Sequence, residues 1–190
     1  MALMQTQAQS PPRAHRLLSM DEIVASGDIF PRAEIDQNRV AEFVVKMKES
    51  PFPPLTVYFD GQQYWLADGF HRYYAAEIIG RKKLQCLVAQ GSCRDAILYA
   101  LSASSSQSKR TSLDKRRAVE KMLFDQDWSK WSDRKIARQC GVSHTLVAQI
   151  RKETGPSSHK GRSLPTETRI VTRKGSNYSM KVSNIGQSQH

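Results

Sequence analysis

SDRKIARQCGVSHTLVAQIRK, residues 132–152, has the form and spacing of a helix-turn-helix. Ile136, Ala137, Cys140, Val142, Val147 and Ile150 fall where two crossing helices must touch. Gly141 falls at the sharp turn between them, where a left-handed backbone costs glycine least. A second helix so placed carries Ser143, His144, Thr145, Ala148, Gln149 and Lys152 on its free face, the geometry that puts side chains into a DNA major groove. Gln149 and Thr145 are the candidates for base edges, because Gln can bond adenine twice and a Thr methyl can meet thymine. Ser143 and His144 at the helix start suit bases or phosphate. Arg134, Lys135 and Arg138 on the preceding helix, with Arg151 and Lys152, are candidate phosphate anchors. Each of these alone is equally a solvated surface residue; the cluster is what points to double-stranded DNA.

Charge placement points the same way. Residues 1–100 hold 11 Lys and Arg against 11 Asp and Glu, whereas residues 101–190 hold 18 against 7, so the second half carries the whole net charge of +11. A neutral half joined to a basic half suits a regulatory or assembly domain followed by a nucleic-acid-binding one; the plainer alternative is a solvated basic surface. Lys115, Arg116 and Arg117 add charge ahead of the motif. The three cysteines, Cys86, Cys93 and Cys140, form no CxxC pair and have no histidines at zinc spacing, so no metal site is expected and a reducing compartment is. No apolar run reaches the roughly 20 residues needed to span a bilayer, so no membrane partner is expected. The polar opening MALMQTQAQSPPRAHR lacks the apolar core of a secretion signal, and the expected location is the cytoplasm.

Outward from the motif, 39% hydrophobic residues in 190 can support a core in one or two small domains. Residues 1–15, rich in Gln, Ser and Pro, read as a mobile tail, and 16–103 as a first domain. Within it, Gln37–Lys48 has helical periodicity through Val40, Phe43, Val44 and Met47, ended by Pro51, Pro53 and Pro54. Leu55–Phe59 and Gln63–Ala67 read as strands joined at Asp60-Gly61, Lys83–Gln90 as a further strand, and a helix follows Asp68-Gly69 as far as Ile79. Ser92 caps a helix through Leu101. Ser102–Ser112 is Ser-rich, and residues 104–112 are expected to be a linker in which Lys109 or Arg110 could meet phosphate. Residues 113–155 form the helix-turn-helix domain, opened by a long helix whose capping box is Thr111 and Asp114. Trp128 and Trp131 fit the glue of that helical unit better than base stacking. A second linker covers 156–166, and alternation about Lys174-Gly175-Ser176 predicts a hairpin within 167–190.

One segment of the first half is chemically pointed: ADGFHRYYAAEIIG, Ala67–Gly80. Gly69 opens a helix beyond a strand, with His71 and Arg72 in its first turn, so free N–H groups, the helix dipole and a guanidinium meet there. That suits an anion, and equally a plain helix start with a solvated arginine. With the strands around Asp60-Gly61, the G-x-x-R-x-x-A box of Gly69, Arg72 and Ala75, and the downstream helix-turn-helix, the chain over Leu17–Lys152 resembles the ParB-like family. TSLDKRRAVEKML, DWSKWSDRKIARQCGVSH and TRKGSNYSM are similar to its plasmid-encoded or pathway-regulator members.

The resemblance implies an α+β fold, a ParB/sulfiredoxin-like N-terminal domain followed by an all-α helix-turn-helix domain and a short C-terminal hairpin. It implies a prokaryotic protein at nucleoid or plasmid, a role in partition or transcription, and a partition ATPase or another protein as partner; a single helix-turn-helix needs a second copy for useful specificity, so a homodimer on a pseudo-palindrome is expected. It further implies CTP (or ATP) with Mg²⁺, whose phosphates would sit at Gly69, His71 and Arg72. Phe70 stands where the family has an acidic residue, and Ser104 and Gln107 stand where it has the Asn and later Arg that hold metal and triphosphate. Hydrolysis is therefore not expected, and tight Mg²⁺ binding is disfavoured. The box also resembles that of sulfiredoxin, but Phe70 replaces the catalytic cysteine, which removes the nucleophile. A nuclease would want clustered carboxylates; Asp60 reads as a turn residue and Asp68 as a helix cap rather than a base for His71, so no catalytic residue is assigned. Three functions compete: a DNA-binding regulator or partition factor, a nucleotide-dependent phosphotransferase or hydrolase on the same fold, and an adaptor whose basic half binds nucleic acid without sequence choice.

Overall fold

The computed structural model describes residues 13–32, 34–50, 52–107, 110–154, 168–173 and 176–181. They fall in two compact units, Met1–Phe30 with Glu34–Ala100, and Pro31–Ala33 with Leu101–His190. The class is α+β, as expected.

The first unit is built on a mixed sheet of β1 (Ala14–Ser19), β2 (Ile23–Val24), β3 (Leu55–Phe59), β4 (Tyr64–Asp68) and β5 (Lys83–Gln90), in the order β1-β5-β3-β4-β2. β3 and β4 form the expected hairpin. Its turn is held by Asp60, whose Oδ1 accepts from the N–H groups of Gln62 and Gln63 at 2.9 Å and whose Oδ2 accepts from Trp65 Nε1 at 2.7 Å. β5 runs parallel to β3 and antiparallel to β1, with Leu18 opposite Leu84. Because β1 begins at Ala14, order starts inside the stretch expected to be tail, of which residues 1–12 lie outside the described ones.

Helices α1 (Gln37–Glu49), α2 (Phe70–Ile78) and the first part of α3 (Cys93–Gln107) complete this unit. Asp36 caps α1 through Arg39 N, and Ser92 and Asp95 cap α3 reciprocally. The core joins Val57, Leu66, Cys86 and Ala89 of the strands to Val40, Met47, Phe70, Ala75, Ala76 and Ala96 of the helices. β-branched and aromatic residues line the strands, small residues let α2 approach closely, and burial of their apolar area drives the assembly.

Two expectations change here. α3 continues through the Ser-rich stretch to Gln107, so residues 104–107 are helix rather than linker. Serine is a weaker helix former than alanine by only a few tenths of a kcal/mol, roughly, and a helix already nucleated and packed upstream carries it. The helix at Asp68-Gly69 is capped at Gly69 itself, with φ 97°, and not by Asp68.

In the second unit α4 (Ser112–Phe124) begins with the Thr111–Asp114 capping box. A short 3-10 turn at Trp128–Lys130 leads to α5 (Asp133–Cys140), the left-handed Gly141 with φ 62°, and α6 (His144–Thr154). Ala118, Val119, Met122 and Leu123 of α4 are buried, as are Ile136, Ala137 and Cys140 of α5 and Val147 and Ile150 of α6; Trp128 is buried too. β6 (Thr168–Arg173) and β7 (Ser176–Lys181) pair antiparallel with Arg173 opposite Ser176; residues 174 and 175, where the sequence predicts the turn, lie outside the described residues. The expected linker at 156–166 lies outside the described residues.

Candidate nucleic-acid interface

Packing against α4 and α5 holds α6 with one face to solvent. Its start is set by Ser143, whose Oγ accepts from Leu146 N at 3.3 Å and shares a 2.9 Å hydrogen bond with Thr145 Oγ1. Val147 and Ile150 anchor the inner face, which leaves Ser143, His144, Thr145, Ala148, Gln149 and Lys152 exposed. These are the residues that helical spacing assigned to the free face. On α5, Arg134 and Arg138 are exposed one turn apart, and Ser132 caps the helix through Lys135 N. Lys135 is half-buried, its Nζ 3.7 Å from the centre of the Trp131 ring, a cation–π contact that fixes the ammonium position.

Arg151 does not join this face. It is buried, 8% exposed, and its guanidinium donates to Ser129 O at 2.8 Å, Trp131 O at 3.0 Å and Asp133 Oδ1 at 2.9 Å. These three bonds tie α6 to the turn before α5 and to the first residue of α5, so Arg151 is an internal clamp and leaves the phosphate-contact set. Arg110 is likewise internal: it donates to Cys140 O and Leu101 O at 2.6 Å each, which places a cation on the last carbonyl of α5 and on a carbonyl of α3. Its candidacy for phosphate ends there, and Lys109 lies outside the described residues.

Sequence reasoning missed a chain of polar contacts that crosses from α4 to α6. Gln149 Nε2 donates to Glu153 Oε1 at 2.9 Å; Arg116 donates through Nη1 to Glu153 Oε2 at 2.7 Å and through Nε to Glu120 Oε1 at 2.8 Å. Arg116 is thereby a bridging residue rather than added free charge. Its guanidinium, and then the Gln149 amide, hold the Glu153 carboxyl below the usual carboxylate range. The spacing of Gln149 and Glu153 on one helix was a visible signal; the partner on α4 was not.

The start of α2 is a different kind of place. Phe70, at the position expected to be acidic, is 4% exposed and meets Phe30 at a ring separation of 5.1 Å. His71 Nε2 accepts from Asp36 N at 3.4 Å. Arg72 Nη1 donates to Pro53 O at 2.6 Å and Pro54 O at 2.9 Å, and Nη2 lies 3.4 Å from Asp68 Oδ2. The side of Gly69 that a Cβ would occupy is filled by Leu55 Cδ2, 2.5 Å away, and Arg72 Nη2, 2.9 Å away. An incoming triphosphate would meet two carbonyl oxygens and a carboxylate around a guanidinium that already gives three of its N–H bonds to them. As arranged, Gly69, His71 and Arg72 do not fit a phosphate cradle. The side chains of Ser104 and Gln107 lie outside the described residues.

Burial pushes the Cys86 and Cys140 thiols up to about 12, which leaves both as inert core residues at neutral pH. Asp60 is held down by the N–H of Gln63, the Trp65 indole and the N–H of Gln62, as a turn residue, and Asp68 faces Arg72. Among the described residues no group of three or more His, Cys, Asp and Glu side chains is placed to hold a metal, and no helix is long and apolar enough to cross a membrane.

The elements define an α+β chain that couples a mixed-sheet unit to a helix-turn-helix unit. No protein-family model matches it. In sequence it is similar to the transcriptional regulator NovG of Streptomyces niveus, 24% identical over 165 residues, with 82% of this chain and 51% of that protein covered. The chain thus spans about half the length of the curated relative it matches. In structure it is similar to C-terminally truncated ParB from Caulobacter crescentus. The complex with parS gives 14% identity, a TM-score of 0.49 and coverage of 71% of this chain and 69% of that one; the complex with CTP-gamma-S gives 15%, 0.44, 72% and 76%. Sulfiredoxin from Arabidopsis thaliana is similar at 22% identity and a TM-score of 0.39, over 45% of this chain and 96% of that one. These findings agree with the resemblance to ParB-like and sulfiredoxin-like proteins.

Proposed function

We propose that this protein is a sequence-specific DNA-binding protein whose recognition element is α6. The observation that carries the proposal is the exposed face of the helix-turn-helix. Thr145 and Gln149 stand where base edges would lie, with Ser143 and His144 at the helix start, and Arg134, Lys135, Arg138 and Lys152 flank them where phosphates would lie. One helix of this length reads a few base pairs, so the working form is a homodimer on a pseudo-palindromic site. The likeness in sequence to a transcriptional regulator favours regulation of transcription over partition, and with it a place on DNA in the cytoplasm. Nothing in the proposal routes through CTP, ATP or Mg²⁺, because Arg72 is committed to Pro53, Pro54 and Asp68.

Selection of duplexes from a random DNA pool by the purified protein, with and without CTP plus Mg²⁺, tests this directly. Enrichment of a palindrome in both arms is the expected result. Random DNA competing as well as any recovered duplex would replace the regulator with a non-specific adaptor. Recovery that changes with CTP would mean that Arg72 exchanges its carbonyl partners for phosphate.

A further inference from the structure

The reading of α6 as the recognition helix leaves open how Gln149 chooses its base. Gln149 donates to a carboxylate, Glu153 Oε1, at 2.9 Å. An ionised carboxylate only accepts, so the amide edge facing Glu153 must be the NH₂; the chemistry fixes which end is which. Glu153 is in turn pinned through its other oxygen by Arg116, and Arg116 by Glu120, both on α4. The Gln149 amide is thus oriented from a second helix, before any DNA arrives.

That orientation has a consequence for base readout. One Nε2 hydrogen is spent on Glu153, which leaves Gln149 one donor and one acceptor. Adenine presents N7 as acceptor and N6–H as donor in the major groove, and the remaining pair matches it. Guanine presents two acceptors, N7 and O6. A free glutamine could turn both of its N–H bonds toward guanine, but the held one would set Oε1 against a guanine acceptor, an unpaired and repulsive contact that disfavours the wrong base. We infer that Glu153, fixed by Arg116, is a positioning residue that makes adenine rather than guanine the base accepted by Gln149. The inference rests on the proposed role of α6 and deepens it.

The test uses the full chain and the best duplex it recovers from a random pool. Gln149→Ala first identifies the base pair whose preference that side chain sets. A·T and G·C duplexes differing only at that pair are then titrated with wild type and with Glu153→Ala. Wild type is expected to prefer A·T by about tenfold, the discrimination one good bidentate pair supplies. Glu153→Ala should bring the ratio to within about twofold while preferences at other positions and the melting temperature stay put. A residue that merely supported the helix would weaken every position together. Arg116→Met, which releases the clasp from the α4 side, should move the same ratio in the same direction and guards against a folding defect in the first variant. An unchanged A·T preference in Glu153→Ala overturns the inference and leaves the DNA-binding reading intact. A wild-type protein that enriches no duplex, or a Gln149→Ala variant with no altered position, overturns the reading of α6 itself.

Discussion

At Gly69 and at Gly141 the chain passes through a left-handed glycine, φ 97° and 62°, and a histidine follows within the next helix. The first helix turns its polar groups inward and the second turns them out. After Gly69 comes Phe70, whose ring is driven into the sheet's core, and that anchor rolls the first turn of α2 so that His71 and Arg72 face Asp36, Pro53, Pro54 and Asp68. After Gly141 comes Val142, half-buried before the helix begins, so α6 starts with Ser143, His144 and Thr145 all exposed. The residue types at the two sites are alike; what differs is where the nearest apolar side chain pulls the turn. A glycine-led helix start is a binding surface only where that pull leaves its donors unspent.

The sharpest way to break this comparison is to remove a cation that looks external and is internal. Arg151→Ala should destabilise the helical unit by about 3–5 kcal/mol, because it removes a buried guanidinium that donates to the Asp133 carboxylate and to two backbone carbonyls. Arg151→Lys should fare little better, since one ammonium cannot reproduce a three-way planar fork. Urea unfolding of the full chain reads both. A variant that melts with wild type and loses only DNA affinity would return Arg151 to the surface.

Next in size is Gly69→Ala. A Cβ there meets Leu55 and Arg72, and φ 97° is strained for any other residue, so a loss of about 2–3 kcal/mol is expected. Thermal unfolding followed by the fluorescence of Trp65, at the far end of the same hairpin strand, would report it. If the variant were stable, the close packing that now argues against a phosphate cradle would be loose enough to admit one.

Local signals were the legible ones. The β3–β4 hairpin, the Gly141 turn, the Thr111–Asp114 box and the inward positions of α5 and α6 depend on residues within a few positions of one another, and periodicity or capping chemistry reveals them. What stayed hidden depends on distant partners. β1 is a strand because β5 lies beside it, with Ala14 opposite Val88, and nothing within AHRLLS announces that edge. Arg110 and Arg151 differ from Arg138 in the backbone carbonyls that fold around them and, for Arg151, in the Asp133 carboxylate; backbone carbonyls have no signature in a sequence. The candidate site was therefore half visible: the exposed face of α6 could be drawn from spacing, but the α4 clasp through Arg116 sits 37 residues from Glu153 and needed coordinates. Ser102–Gln107 failed for the opposite reason, since composition suggested a linker where an upstream helix simply continued.

The smaller predictions probe the outward-facing half. Gln149→Ala should cost about 1–3 kcal/mol on the best duplex and relax preference at one position, with no change in melting temperature, because the side chain is exposed and its partner Glu153 keeps Arg116. Arg138→Ala should have the mildest effect, less than about 1 kcal/mol at physiological salt. It should weaken all sequences alike and reduce the slope of log affinity against log salt by about 1, the mark of one lost phosphate contact. The two variants divide the α5–α6 surface into a part that reads and a part that holds. A sequence-dependent loss in Arg138→Ala, or a salt-dependent and sequence-blind loss in Gln149→Ala, would mean that the helices have exchanged these roles and that α5, not α6, lies in the groove.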